Sequence, residues 1–287
     1  IGRIKDGTYH HLATVELSVG IRPYSLDGID LNKDGRMELY ISASTTNSTL
    51  AGVLIEAIDG RYRITRRDIP WHMRRLTIPG EGLVLLGQKI GALGRLFGGP
   101  VFKIQIRDGK LVEGPVYEVP KKVNLHGFIP LAVGGRKQFA VIGDDNYLNI
   151  VAADGEQLAS SVDTVGGSES YIEMNSEVQS GGEGQRLYMK PRIELNDKGE
   201  IVVPVNSGFS LLSRVRIYTK SELKALTWNG SVLKEVWHTS PEKNCLSDYR
   251  FADAGNEGKK KLVTVVAYPD FNPITQRKSL LHLYPLQ

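Results

Sequence analysis

The stretch that most limits what this chain can become is Asp30-Leu-Asn32-Lys-Asp34-Gly35-Arg36-Met-Glu38, set between two apolar runs. Oxygen-bearing side chains stand at its positions 1, 3, 5 and 9, with glycine at position 6. A hard cation such as Ca²⁺ takes about six to eight oxygens at roughly 2.3–2.6 Å. Alternate residues of a tight loop can turn such oxygens inward. Gly35 permits the positive φ that the reversal needs, and Arg36 offers a main-chain carbonyl. An EF-hand requires a bidentate Glu at position 12 and a helix on each side. Position 12 here is Ile41, inside Leu39-Tyr-Ile-Ser-Ala43, which reads as a strand. Asp, Asn and Gly also build metal-free hairpin turns, so both readings stand at this point.

The chain has 287 residues, of which 41% are hydrophobic and 24% charged. That is ordinary globular usage and ample for a core. A net charge of +4 with a pI near 9.0 is mildly basic. Arg66-Arg67, Arg74-Arg75 and Lys259-Lys260-Lys261 are scattered and read as solvated faces. No recognition motif accompanies them, so nucleic acid is not an expected partner. Cys245 is the only cysteine, which excludes an internal disulfide; it reads as an inert thiol. No run of about eighteen apolar residues offers a membrane-spanning helix. The chain begins at Ile1 with neither methionine nor signal peptide and reads as a processed or excised product.

Apolar runs and turn signals recur along the chain. Gly2–Lys5 and His11–Leu17 form an expected strand pair about Asp6-Gly7. Asp59-Gly60 and Asp108-Gly109 stand between alternating apolar runs, the strongest short hairpin signal. Asp154-Gly155 and Asn229-Gly230 follow the same logic. The turn glycines Gly35, Gly82, Gly135, Gly199 and Gly258 recur at roughly fifty to sixty residues, somewhat longer than the ~40–50 of propeller blades. Each unit supplies about four strands and no helix. Such units bury their faces only by packing radially on one another. The expected fold is therefore all-β, a β-propeller of four-stranded blades in one domain spanning 1–287, with a β-sandwich second. Repeats fall at about 21–71, 72–120, 121–164, 165–240 and 241–287. Residues 1–20 are either a partial blade or a ring-closing pair.

The segment Gly28-Ile-Asp-Leu-Asn-Lys-Asp-Gly-Arg-Met-Glu-Leu-Tyr-Ile41 resembles the FG-GAP/VCBS repeat, an Asp-x-Asn-x-Asp-Gly-x-x-Asp loop before a strand. The resemblance implies calcium ligands at Asp30, Asn32, Asp34, Glu38 and the carbonyl of Arg36, with the metal structural. Phe251-Ala-Asp-Ala-Gly-Asn-Glu-Gly-Lys-Lys-Lys-Leu-Val263 is a worn copy: Asp253 falls on Asp30, Glu257 on Asp34 and Lys261 on Glu38. An ammonium where a carboxylate belongs implies a metal-free loop, with Lys261 pairing Asp253 or Glu257. Gly99-Pro-Val-Phe-Lys-Ile104 and Leu226-Thr-Trp-Asn-Gly-Ser-Val-Leu233 are similar to bacterial VCBS propellers that follow a TolB/CsgG-like N-terminal domain. That similarity implies an exported protein, periplasmic, outer-membrane-associated or extracellular.

Other constellations are weaker. His10, His11, His72, His126, His238 and His282 show no zinc-ligand spacing and read as exposed turn residues. Gly166-Gly-Ser-Glu-Ser170 is a loop and not a nucleophile elbow. Trp71, Trp228 and Trp237 read as blade packing before sugar stacking. The expected function is a non-enzymatic, calcium-stabilised binding or scaffold module for protein or polysaccharide. A propeller glycan hydrolase or lyase, with acids and histidines over the channel, and a lectin are the alternatives.

Overall fold

The computed structural model describes residues 1–5, 7–92, 95–121, 123–174, 185–211, 215–268 and 279–286. The chain opens with a hairpin, β1 (Gly2–Lys5) and β2 (Thr8–His11). Five antiparallel sheets, the blades of a β-propeller, then follow in chain order.

Blade 1 holds β3 (Ile21–Ile29), β4 (Glu38–Thr45), β5 (Gly52–Ile58) and β6 (Arg61–Ile69). Blade 2 holds β7 (His72–Ile78), β8 (Gly82–Gln88), β9 (Val101–Arg107) and β10 (Lys110–Val116). Blade 3 holds β11 (Phe128–Val133), β12 (Arg136–Ile142), β13 (Tyr147–Ala152) and β14 (Gln157–Thr164). A separate hairpin, β15 (Tyr171–Met174) and β16 (Gln185–Tyr188), precedes blade 4. Blade 4 runs β17 (Glu194–Leu195), β18 (Ile201–Leu211), β19 (Val215–Trp228) and β20 (Leu233–His238), with β21 (Glu242–Lys243) added to β19. Blade 5 shows three strands among the described residues: β22 (Cys245–Ala252), β23 (Lys261–Ala267) and β24 (Ser279–Pro285).

Within each blade the strands follow one another in sequence order. Tight turns make this possible. Asp59-Gly60 and Asp108-Gly109 both take φ > 0 at both residues, at 48° and 73°, and at 49° and 66°. That is the mirror-image turn whose twist matches a hairpin. The first strands β7 and β11 are largely buried, whereas β10, β14 and β24 are largely exposed. The first strand of each blade therefore lies innermost, around the axis.

The apolar cores lie between blades, as radial packing demands. Tyr40 and Leu54 of blade 1 meet Met73, Leu85 and Phe102 of blade 2. One larger core joins blades 2, 3 and 4 through Leu86, Phe128, Phe139, Ile150, Val203 and Leu226. Another joins blades 4 and 5 through Val202, Leu223, Leu246 and Tyr249. The tryptophans serve these junctions. Trp71 meets Phe102 edge-on at 5.2 Å. Trp228 Nε1 donates to Gln138 Oε1 at 2.7 Å, tying blade 4 to blade 3.

The structure departs from the sequence reading in several places. The second strand of the opening hairpin is Thr8–His11, not His11–Leu17; among the described residues β1 and β2 pair only with each other. Strands β18 and β19 pair from Ile201 with Leu226 out to Leu211 with Val215, the longest ladder among the described residues. Arg74 is not solvated; it is 2% exposed. His72 and His126 are likewise buried and not turn residues. Cys245 is buried, and desolvation pushes its thiol up to about 12, in keeping with an inert thiol.

Replacing Trp228 by Phe removes the inter-blade bond while leaving most of the apolar contact. It should cost about 1–2 kcal/mol, because Gln138 Oε1 loses its donor in a buried setting. Urea unfolding monitored by circular dichroism measures it.

Candidate functional site

The oxygen-rich loop joins β3 to β4. Lys33 (φ 61°) and Gly35 (φ 83°) are left-handed and curl the chain back on itself. Asp30 anchors the curl: its Oδ1 accepts the Asp34 amide at 3.1 Å and its Oδ2 the Gly35 amide at 2.9 Å. Asn32 Oδ1 accepts the Asp34 amide at 2.8 Å, and Asp34 Oδ1 accepts that of Arg36 at 2.8 Å. Glu38 opens β4, 3% exposed, and accepts the Leu31 amide at 2.8 Å.

One carboxylate oxygen from each of Asp30, Asp34 and Glu38 lies within 4.8 Å of the others. Oxygens that share one Ca²⁺ at roughly 2.3–2.6 Å lie no more than about 5 Å apart, a condition the three meet. Burial raises the pKa of Glu38, and the charges of Asp30 and Asp34 add to the shift against the hydrogen bonds from Leu31 and Tyr40. A divalent cation bound there would offset that repulsion. The donor set therefore fits a hard ion. Arg36 directs its guanidinium to the Ala57 carbonyl, at 3.4 Å. Glu56 and Asp59, which sequence reasoning missed, face the same cleft from the β5–β6 hairpin.

The worn copy in blade 5 keeps the curl and changes the charge. Asp253 accepts the amides of Glu257 (2.9 Å) and Gly258 (2.7 Å), as Asp30 does in blade 1. Lys261 Nζ lies 3.0 Å from Glu257 Oε2, the expected pairing.

A second constellation was invisible in the sequence. At the hub, Asp27 of β3 is 1% exposed. Its Oδ1 accepts Arg192 Nη1 at 3.0 Å and also Arg250 Nη2 of blade 5, while its Oδ2 accepts the Arg75 amide of blade 2 at 3.0 Å. Arg192 also grips Asp248 with two nitrogens, at 2.9 and 3.2 Å. Arg74 donates to the carbonyls of Leu125 (2.8 Å), Phe128 (2.8 Å) and Ile193 (3.0 Å). Burial lowers the Arg74 pKa to about 10, still charged at neutral pH. Burial also opposes the charge of Arg192, but Asp27 and Asp248 outweigh it and raise its pKa.

This belt separates two cavities. On the side where the innermost strands begin, Tyr24, His126, Lys190, Ser247 and Asp248 line a polar pocket of about 70 Å³. His72 Nδ1 takes the Tyr24 hydroxyl at 2.7 Å and His72 Nε2 faces the Leu96 carbonyl at 2.7 Å. Desolvation lowers the His72 pKa to about 4, so the ring is neutral. Ile172 of β15 and Met189 pack here with Tyr24 and Leu96, so the extra hairpin caps this mouth. On the side where those strands end, Arg75, Glu194, Leu195, Arg250, Phe251 and Lys260 line an open cavity of about 530 Å³. Burial is the main cause that lifts Glu194 to about 7, against the pull of Arg192 and the Phe251 amide.

Two outcomes are expected. Asp27→Asn leaves several buried donors facing a neutral group and should destabilise the fold by about 3–5 kcal/mol in chemical denaturation. Glu194 has a folded pKa above its ordinary 4.5. Between about 4.5 and 7 the native state thus binds more protons than the unfolded chain, and stability falls as pH rises. Glu194→Gln should remove that decline, read as the melting temperature from pH 4 to pH 8.

No model of a known protein family matches the sequence, and no curated protein matches it at a significant level.

Proposed function

We propose that this protein is a non-catalytic binding module: a propeller of FG-GAP/VCBS type whose first blade is fastened by a structural Ca²⁺. Its partner is a protein or polysaccharide met outside the cytoplasm, in the bacterial envelope or the extracellular space. The observation that carries the calcium reading is the meeting of Asp30, Asp34 and Glu38 oxygens within 4.8 Å. Asn32 and the carbonyl of Arg36 complete the ligand set. Asp30 follows β3 and Glu38 starts β4, so an ion between them clamps the two strands of one hairpin. Extracellular modules hold calcium at about 10⁻⁴–10⁻³ M, which suits a partly exposed loop. The export assignment rests on the resemblance of the loop and of Gly99–Ile104 and Leu226–Leu233 to envelope propellers.

The hub favours binding over turnover. Asp27 and Asp248 are both engaged by guanidinium groups. Glu194 is the observation that favours a glycan hydrolase or lyase, since a carboxyl near pKa 7 in a cavity is poised for acid–base work. Such chemistry uses two carboxyls, and the nearby Asp197 is tied to Lys260 at the rim.

Thermal melting with calcium and with a chelator tests the metal reading. Saturating calcium should raise the melting temperature by several degrees, about 2–3 kcal/mol at a hundredfold excess over Kd. Glu38→Ala should abolish the increment. A Glu38→Ala protein with the full increment removes the site, and a wild type without one removes the ion.

A further inference from the structure

The open cavity at the end of the hub lies apart from the oxygen-rich loop. We propose that it is a ligand site for a carboxylate carried on an aliphatic body. The inference deepens the binding-module reading and rests on it.

Charge is the first argument. Around the belt stand four guanidinium groups, Arg74, Arg75, Arg192 and Arg250, against three carboxyls, Asp27, Glu194 and Asp248. Arg74 and Arg192 spend their donors on carbonyls and on Asp27 and Asp248. Arg75 does not. Its side chain uses Nη1 on the Gly28 carbonyl at 2.8 Å, and among the described residues Nε and Nη2 have no acceptor. Those two nitrogens form one edge of a planar fork, the geometry that takes a carboxylate with two parallel bonds. Arg250 stands across the same cavity.

The rest of the wall sets the body of the ligand. Leu83 and Leu195 present exposed aliphatic surface to it, beside Phe251, the one aromatic ring among the lining residues. Leu76, Ile129 and Ile193 are buried, and Thr77, Asn196, Asp197 and Lys260 add polar groups. Two exposed leucines with a single aromatic ring favour an alkyl or leucine-like group over a sugar ring, which seeks aromatic shelves. A volume of about 530 Å³ lies in the range of small-ligand sites.

The test titrates the calcium-loaded chain with N-acetyl-leucine, hexanoate, glucuronate and N-acetyl-leucine amide, following amide signals by nuclear magnetic resonance. N-acetyl-leucine mimics a peptide C-terminus and hexanoate a fatty acid, so their ranking tells the source of the carboxylate. Either should move the signals of Arg75, Glu194 and Arg250 saturably, with Kd about millimolar. The amide and glucuronate should bind about tenfold more weakly. Arg75→Met should abolish binding. Leu83→Glu, at a half-exposed rim position, should weaken it about tenfold without threatening the fold. No saturable shift from either carboxylate, equal binding of the amide, tighter binding of glucuronate, or unchanged affinity in both variants overturns the proposal. The calcium increment in melting temperature, recorded on the same samples, separates the two readings. Failed titration with that increment intact removes the cavity assignment alone.

Discussion

The ring depends on the burial of Asp27. A carboxylate so deep is tolerable only when charges and donors surround it, and these come from blades 2, 4 and 5. Arg74 completes the circuit through carbonyls of Leu125, Phe128 and Ile193, in and beside blades 3 and 4. Buried ion pairs are poor sources of net stability, because desolvation offsets most of the attraction. Their value here is positional: the innermost strands of blades 1, 2 and 5 have one place where their charges are satisfied, and Arg74 holds that of blade 3 by the Phe128 carbonyl. That limits how far the blades so joined slide along the axis.

The ionic belt also compensates for an asymmetry in the packing. Apolar clusters join blade 1 to 2, blades 2 to 4, and blade 4 to 5. Among the described residues none joins blade 5 to blade 1, and there Arg250 meets Asp27. Non-directional burial closes most of the ring, and a directional contact closes the remainder. The oxygen loop bears on the same point. Asp27 pairs with Tyr40 across β3 and β4, and Ile29 with Glu38. A loop that locks Glu38 against Leu31 therefore sets the register in which Asp27 reaches the hub.

The two ends of the axis have been given different tasks. The inserted hairpin β15–β16 covers one mouth, leaving a small polar pocket beside neutral His72 and His126. The other mouth stays open among strand ends and turns. Sequence variation in such turns costs the core little, so the open mouth is where recognition can differ without disturbing the ring.

What the chain could reveal alone was whatever is local. Asp59-Gly60 and Asp108-Gly109 specify hairpins because the turn is decided by two residues. The spacing of Asp30, Asn32, Asp34 and Glu38 specifies a curled loop, and Lys261 in place of the third acid specifies an internal ion pair. Recurring strands between glycine turns specified blades. The hub was not local. Arg192 and Asp27 are 165 residues apart, and an arginine in a strand reads alike whether it faces water or a carboxylate from a distant blade. Arg74-Arg75 thus looked solvated, and His72 looked like a turn residue. Only folding the ring brought them to the axis, because desolvation and pairing depend on what surrounds a charge and not on its neighbours along the chain.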